Sequence, residues 1–389
     1  MSEELSLESV ETFVVALPTR RPHFWAGLTA AAGRGYVVVR VRLTNGCVGW
    51  GECQPIQTWG GDDGSRYGET PETVVSMLAS HLVPALEGVD VRRLELVHQA
   101  MNRAVRGHSY AKAALEVGIL DAVGRTLSLP VYQLLGGKYR DRVELAHSIG
   151  LMDIDVAVDE AVRVAQEGIL TLKLKIGVDP DRDVKLVESV RRAVGDKVAI
   201  RVDANQGYRS WKEAVDTIVR MQSAGIAYAE QLVDGVEELA QVARRCPVPV
   251  MADESVWTER DVVRIARLEA AQYISTYYTK PGGLWKAKRL LTVAGAHRMQ
   301  SDINGSGEMG IGNAANLHLA ASCPEVTLAG TIPVTSTAQT QRTQTAGRKY
   351  MDDIIEEPFV YENGHLVVPD GPGLGITVNE EKLRKYRID

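Results

Sequence analysis

Hydrophobic positions along the first fifty residues recur in the manner of strands. Residues 10–17 form an apolar, β-rich run, and residues 36–43 (YVVVRVRL) alternate. The turn 44–46 (TNG) and the return 48–52 (VGWGE) complete a predicted hairpin. Two loops flank these strands. One carries His23, Phe24, Trp25 and Gly27; the other, residues 55–68, carries Trp59, Gly60, Gly61 and Gly64. Glycine beside exposed aromatics suits a lid, and it suits an ordinary surface connection equally. Residues 71–135 change to helical spacing. Thr70-Pro71-Glu72 is a start signal, residues 111–127 are rich in Ala and Leu, and Gly136-Gly137 closes the run. An antiparallel sheet followed by helices predicts an α+β domain over residues 1–135.

From about residue 143 short apolar runs alternate with amphipathic helical stretches. The runs fall at 143–147, 171–176, 198–202, 227–230, 248–252, 273–277, 300–303 and 326–328. Eight evenly spaced strand–helix units predict a (β/α)8 barrel over residues 136–357. A doubly wound sheet is the alternative, but it usually shows a Gly-rich phosphate loop after its first strand, and His147-Ser148-Ile149-Gly150 matches that poorly. Residues 358–389 are too irregular for barrel units and are expected to return to the N-terminal domain. The fold class is therefore α/β: a modified (β/α)8 barrel with an α+β capping domain built from both termini.

Composition adds limits. The 389 residues are 45% hydrophobic and 24% charged, with net charge −6 and a pI near 5.8. That is ordinary for a globular protein, and nothing in it favours a nucleic-acid or anionic-membrane partner. No run of about 18 apolar residues suggests a membrane span. Cys47, Cys53, Cys246 and Cys323 form no zinc-like pattern, so reduced thiols in the cytoplasm are expected. The acidic Met1-Ser2-Glu3-Glu4 does not read as a signal peptide. With 36 Gly but only 3 Phe, the barrel is expected to be filled by Val, Ile, Leu and Ala.

The candidate chemistry lies at one phase of the repeat. Lys173 and Lys175 fall in the second barrel strand. Asp203, Glu230 and Asp253 end the third, fourth and fifth, so the intervals from Lys175 onward are 28, 27 and 23 residues. Each is about one strand–helix unit, which puts all of them at the C-terminal mouth. A single acid there could simply cap the next helix. Three in succession beside a lysine pair point instead to a hard divalent cation, Mg2+ or Mn2+. The two lysines share a strand face, and their mutual repulsion is expected to lower one pKa and create a base. A base and a metal together suit removal of a proton α to a carboxylate, with the enediolate stabilised by charge; the enolase superfamily is the known example of such a site.

These residues resemble the muconate-lactonizing branch of the enolase superfamily. The similar stretches are LKLKIG (172–177), RVDANQ (201–206), AEQ (229–231), MADES (251–255) and KPGG (280–283). They continue with LPTRRPH (17–23), YGETPE (67–72), RGHSYAKAALE (106–116), LLGGKYRD (134–141), EMGIGNAA (308–315) and PGLGI (372–376). The resemblance implies Lys175 as acid/base, Lys173 as its electrostatic partner, and Asp203, Glu230 and Asp253 as ligands of one Mg2+ or Mn2+. It adds Glu308 as a catalytic candidate, and Trp25, Trp59, Asn205 and Lys280 as substrate-binding candidates. It also implies a small-molecule carboxylate substrate and a homo-oligomer, dimer or octamer.

Two departures stand out. Leu232 replaces the family's proline after Glu-Gln. More important, the sixth strand carries Tyr277 where the family has a second lysine, while Lys280 matches a more peripheral family lysine. Tyr277 is a catalytic candidate as a phenolic acid and a poor base, and Lys280 is the alternative substitute for the missing lysine. Chemistry on one face of the substrate needs only Lys175. That suits cycloisomerisation and syn dehydration of a hydroxy acid or hydroxyproline-like substrate alike, and cycloisomerisation is favoured because the muconate-type N-terminal stretches are the most similar. A racemase or epimerase acting on an amino-acid or betaine derivative, a catalytically silent carboxylate-binding protein, and a metal-free Schiff-base aldolase are the other readings.

Overall fold

Tyr36–Leu43 runs through the middle of a three-stranded antiparallel sheet, between Leu7–Val15 and Val48–Cys53. The computed structural model describes residues 4–19, 23–27, 35–66, 68–305, 307–332 and 350–389. Residues 20–22 of the LPTRRPH stretch, Tyr67 of YGETPE and Ser306 lie outside the described residues. The sheet packs on the helix Ser109–Leu127, and two glycines set how closely. A Cβ on Gly51 would lie 1.9 Å from the Ala114 carbonyl oxygen, and one on Gly49 would lie 2.3 Å from the Gly118 carbonyl oxygen. Any side chain there would push the helix off the sheet.

Seven parallel strands then follow in sequential order: Ala146–Ile149, Thr171–Lys175, Ala199–Asp203, Tyr228–Glu230, Val250–Ala252, Tyr273–Thr276 and Gln300–Ile303. The eighth predicted strand differs. The segment 325–331 closes the ring by isolated bridges, Ser301 with Val326 and Leu145 with Gly330, rather than as a regular strand. Its amides still pair on both sides: Thr331 N donates to Ile303 O (2.8 Å), and Ala146 N donates to Gly330 O (2.8 Å). Further on, Tyr361–Glu362 and His365–Val367 form a hairpin on Arg142–Glu144. The last residues reach the N-terminal sheet, where Ile388 N donates to Val14 O (2.9 Å) and Arg387 bridges Val15.

The barrel interior corrects one expectation. Aliphatic side chains such as Leu172, Leu174, Ile200, Val202 and Ala229 are fully buried in the large apolar core that includes the surrounding helices. The alternating positions Lys173, Lys175, Arg201, Asp203, Tyr228 and Glu230 are buried too, on the opposite strand faces. The inside of this barrel is thus a charged and aromatic stack. Its lower layer is held by Arg201, whose guanidinium pairs with Asp302 (2.7 Å) and donates to Tyr228 and to Thr331 (2.5 Å).

Buried carboxylates join the N-terminal domain to the barrel by accepting from free backbone amides at helix starts. Glu52 accepts from Met309 N (2.6 Å) and Gly312 N (2.9 Å) at the head of Gly310–Ser322. Glu116 accepts from Leu284 N (2.5 Å) and Trp285 N (2.9 Å) at the head of Leu284–Ala296. Within the N-terminal domain, Glu69 accepts from Tyr110 N (2.9 Å) at the start of Ser109–Leu127. All four cysteines are free, and among the described residues no helix is long and apolar enough to cross a membrane.

Candidate active site

Strand register brings the spaced acids together at one end of the barrel. Lys175 pairs with Asp203, and Asp203 with Glu230, across neighbouring strands. Lys173 Nζ lies 2.8 Å from Asp203 and 2.7 Å from Glu230. Lys175 Nζ donates to the same Asp203 oxygen (2.6 Å) and to Asn205 Oδ1 (2.7 Å). Asn205 in turn donates through Nδ2 to Glu254 (2.8 Å). Asn205 and Gln206 both have left-handed backbone, φ 43° and 62°. That uncommon conformation turns the chain sharply at the strand end.

Lys173 is not a lysine of lowered pKa. Burial works against the Lys173 charge, but Asp203 and Glu230 outweigh it and raise its pKa. Burial likewise works to raise Asp203, yet Lys173 and Lys175 hold it below the ordinary carboxylate range. Glu230 is pushed up to about 8 by burial, with the Asp203 charge adding to it. Interleaving of lysines with acids, instead of lysine facing lysine, is the physical reason.

On the far side the sixth-strand departure takes shape. Tyr277 is fully buried, and Trp59 stacks on it with ring centres 5.5 Å apart at 14°. Trp59 also meets Trp257 edge-on at 5.8 Å. Lys280 sits beneath, its Nζ 5.0 Å from the Tyr277 ring centre. It donates to Asp253 Oδ1 (2.5 Å), Asp253 O (2.8 Å) and Ser275 O (2.8 Å). Those three bonds use all three ammonium protons. Trp25 belongs to a loop docked on the first barrel strand's exit, where Leu151 N donates to Phe24 O (2.9 Å) and Ser148 Oγ meets His23 Nε2 (3.3 Å). Glu308 is buried after the seventh strand, with Gly307 N donating to its carboxylate (3.1 Å).

The donor set fits a hard divalent cation in kind, being all oxygen, and Glu230 Oε2 is buried without a hydrogen-bond partner. The carboxylates are nevertheless not drawn to a common point: among the described residues no three His, Cys, Asp or Glu side chains form a metal-holding group. Lysine ammonium groups lie between them.

Sequence reasoning passed over several residues. Glu254 was visible only as a letter of MADES. Asp62 and Trp257 carried no signal at all, because their roles come from contacts across the mouth.

A curled parallel sheet under a cap, with lysines and carboxylates at its C-terminal mouth, defines an enzyme of the enolase type. Residues 9–136 match the mandelate racemase/muconate lactonizing enzyme N-terminal domain, and residues 156–382 the enolase C-terminal domain-like family. The chain belongs to the enolase superfamily, in its muconate-lactonizing branch. It is similar to muconate cycloisomerase 1 of Rhodococcus opacus, 31% identical over 98% of this chain and 99% of the other. N-succinyl-L-Arg/Lys racemase of Bacillus cereus is 29% identical over 99% of this chain and 98% of the other. The crystal structure of 2-chloromuconate cycloisomerase from Rhodococcus opacus superposes with a TM-score of 0.89 at 29% identity, covering 99% of this chain and 100% of that one. Enzymes of this family use a divalent metal.

Proposed function

We propose that this chain removes the proton α to a carboxylate with Lys175 as the base, and works on one face of the substrate as a cycloisomerase. The observation that carries this reading is the asymmetry of the mouth. Lys175 stands at the end of the second strand, held by Asp203 and Asn205. Across from it the sixth strand presents Tyr277 under Trp59, and Lys280 spends its protons on Asp253 and Ser275. An ammonium on only one side can move a proton on only one face.

Asp203, Glu230 and Asp253 would hold the divalent ion, Mg2+ or Mn2+. When bound, it supplies positive charge that offsets the dianionic enediolate. The chain's own residues do the rest. Lys173 balances the charge of Asp203 and Glu230, Asn205 steadies the Lys175 amine, and Trp59 with Tyr277 walls the far face and excludes water. Syn dehydration would use the same one-face arrangement.

The resemblance to the succinylamino-acid racemase supports a second reading, racemisation, which needs a proton carrier on the far face. Incubation with Mg2+ in deuterated water, over a panel of muconates, hydroxyprolines, N-acylamino acids and sugar acids, separates the two. Deuterium entering one carbon with retention, and lost in Lys175→Ala, supports one-face chemistry. Deuterium entering with inversion sinks it in favour of racemisation.

A further inference from the structure

Residues 59–66 reach over the barrel mouth, and one carboxylate gathers contacts from three successive barrel units. Asp62 Oδ1 accepts from Ser255 Oγ (2.7 Å) after the fifth strand, from Gln206 Nε2 (3.3 Å) after the third, and from Gly235 N (3.4 Å) after the fourth. Neighbouring contacts support it: Asp63 N donates to Asp234 (3.0 Å), and Arg66 pairs with Asp261 (2.9 Å). At the other end of the same stretch, Trp59 lies on Tyr277 and against Trp257.

Ser255 Oγ also accepts from Gln231 Nε2 (2.8 Å). Gln231 Oε1 in turn accepts from Asp253 N (2.8 Å) and Ser255 N (3.2 Å). The Asp62 anchor thus sits on a serine that is tied to the backbone of the Asp253 segment. Arg66 N donates to Gly60 O (2.6 Å) and Trp59 N to Ile56 O (3.4 Å), so the stretch anchored at Asp62 is also tied on both sides of Trp59.

We propose that Asp62 is a positioning residue: as a hydrogen-bond acceptor for Ser255, Gln206 and Gly235, it holds the Trp59 loop closed against Tyr277. The three donors converge on Oδ1, so an amide oxygen at that place serves as well as a carboxylate. The proposal takes from the proposed function only that the mouth is where substrate binds.

The test reads the loop directly. Trp59 and Trp257 are close enough for their transitions to couple, and the circular-dichroism band lost in W59F identifies that pair. D62A and S255A are expected to lose the same band and to make Trp59 about twofold more open to acrylamide quenching, while D62N keeps both near wild type. On any carboxylate that exchanges its α-proton with the wild type, D62A is expected to raise KM about tenfold and to change kcat less than about twofold, with D62N restoring KM. Retention of the band in D62A, or its loss in D62N as in D62A, overturns the proposal. Should no carboxylate exchange with the wild type, the chemical reading fails while the spectroscopic result still decides the role of Asp62.

Discussion

Replacing Arg201 with methionine probes the interior stack that the strands build. Arg201 and Asp302 are both fully buried, and their N–O separation is 2.7 Å. At an effective dielectric near 20 the attraction is roughly 6 kcal/mol, set against several kcal/mol of desolvation for each ion. The pair therefore nets little, but either partner alone is costly. Arg201→Met leaves the Asp302 charge without its counter-ion and removes the donors facing Tyr228 and Thr331. A loss of about 3–5 kcal/mol in unfolding free energy is expected. Asp302→Leu should cost a similar amount, because it strands the guanidinium. The double variant Arg201→Met/Asp302→Leu should recover to within about 1–2 kcal/mol of wild type. Urea unfolding followed by circular dichroism measures all four proteins, with the slope checked for constancy. A single variant within about 1 kcal/mol of wild type, or a double variant as unstable as the two losses added, would refute this account.

Burial pushes Glu52 up to about 8, although the two helix-start amides favour its charged form. A carboxyl raised in the folded state contributes stability that is full below the unfolded value near 4.5 and is lost as pH rises through 8. Glu52→Gln should flatten that slope in melting temperatures measured from pH 5 to 9; an unchanged slope would count against it. Gly283 has φ 137°, and a Cβ there would lie 2.3 Å from Glu116 Oε2. Gly283→Ala should cost at least about 1–3 kcal/mol in urea unfolding, and a neutral result would mean the helix can shift away from Glu116. Glu254→Ala removes the oxygen that accepts from Asn205 Nδ2 and leaves Asn205 free to turn its amide. It should slow α-proton exchange about tenfold or more with little change in substrate affinity, and an affinity loss alone would show that Glu254 binds instead of aligning.

Much of the architecture was legible because repetition leaves a trace in one dimension. Strand-like runs about 25 residues apart are what a sheet curled into a ring requires, and acids at one phase of that repeat must share one mouth. The eighth strand was harder to read. Residues 326–328 look like the others, but the short segment pairs mainly through single bridges on either side.

Sequence by itself determined the order of the strand-end groups: Lys173, Lys175, Asp203 and Glu230 follow the strand spacing, and register sets Lys175 beside Asp203 and Asp203 beside Glu230. It also marked the sixth-strand tyrosine as the place of difference. Only the tertiary structure decided how the groups share charge. Two lysines on one strand face look like rivals until acids from the next strands come between them, which raises Lys173 rather than lowering it. The inward charged layer, the partner of Arg201 at a separation of 101 residues, and the Asp62 anchor were decided in the same way. Hydrogen bonds and ion pairs act over a few ångströms, and a chain 389 residues long does not reveal which distant groups will come that near until it folds.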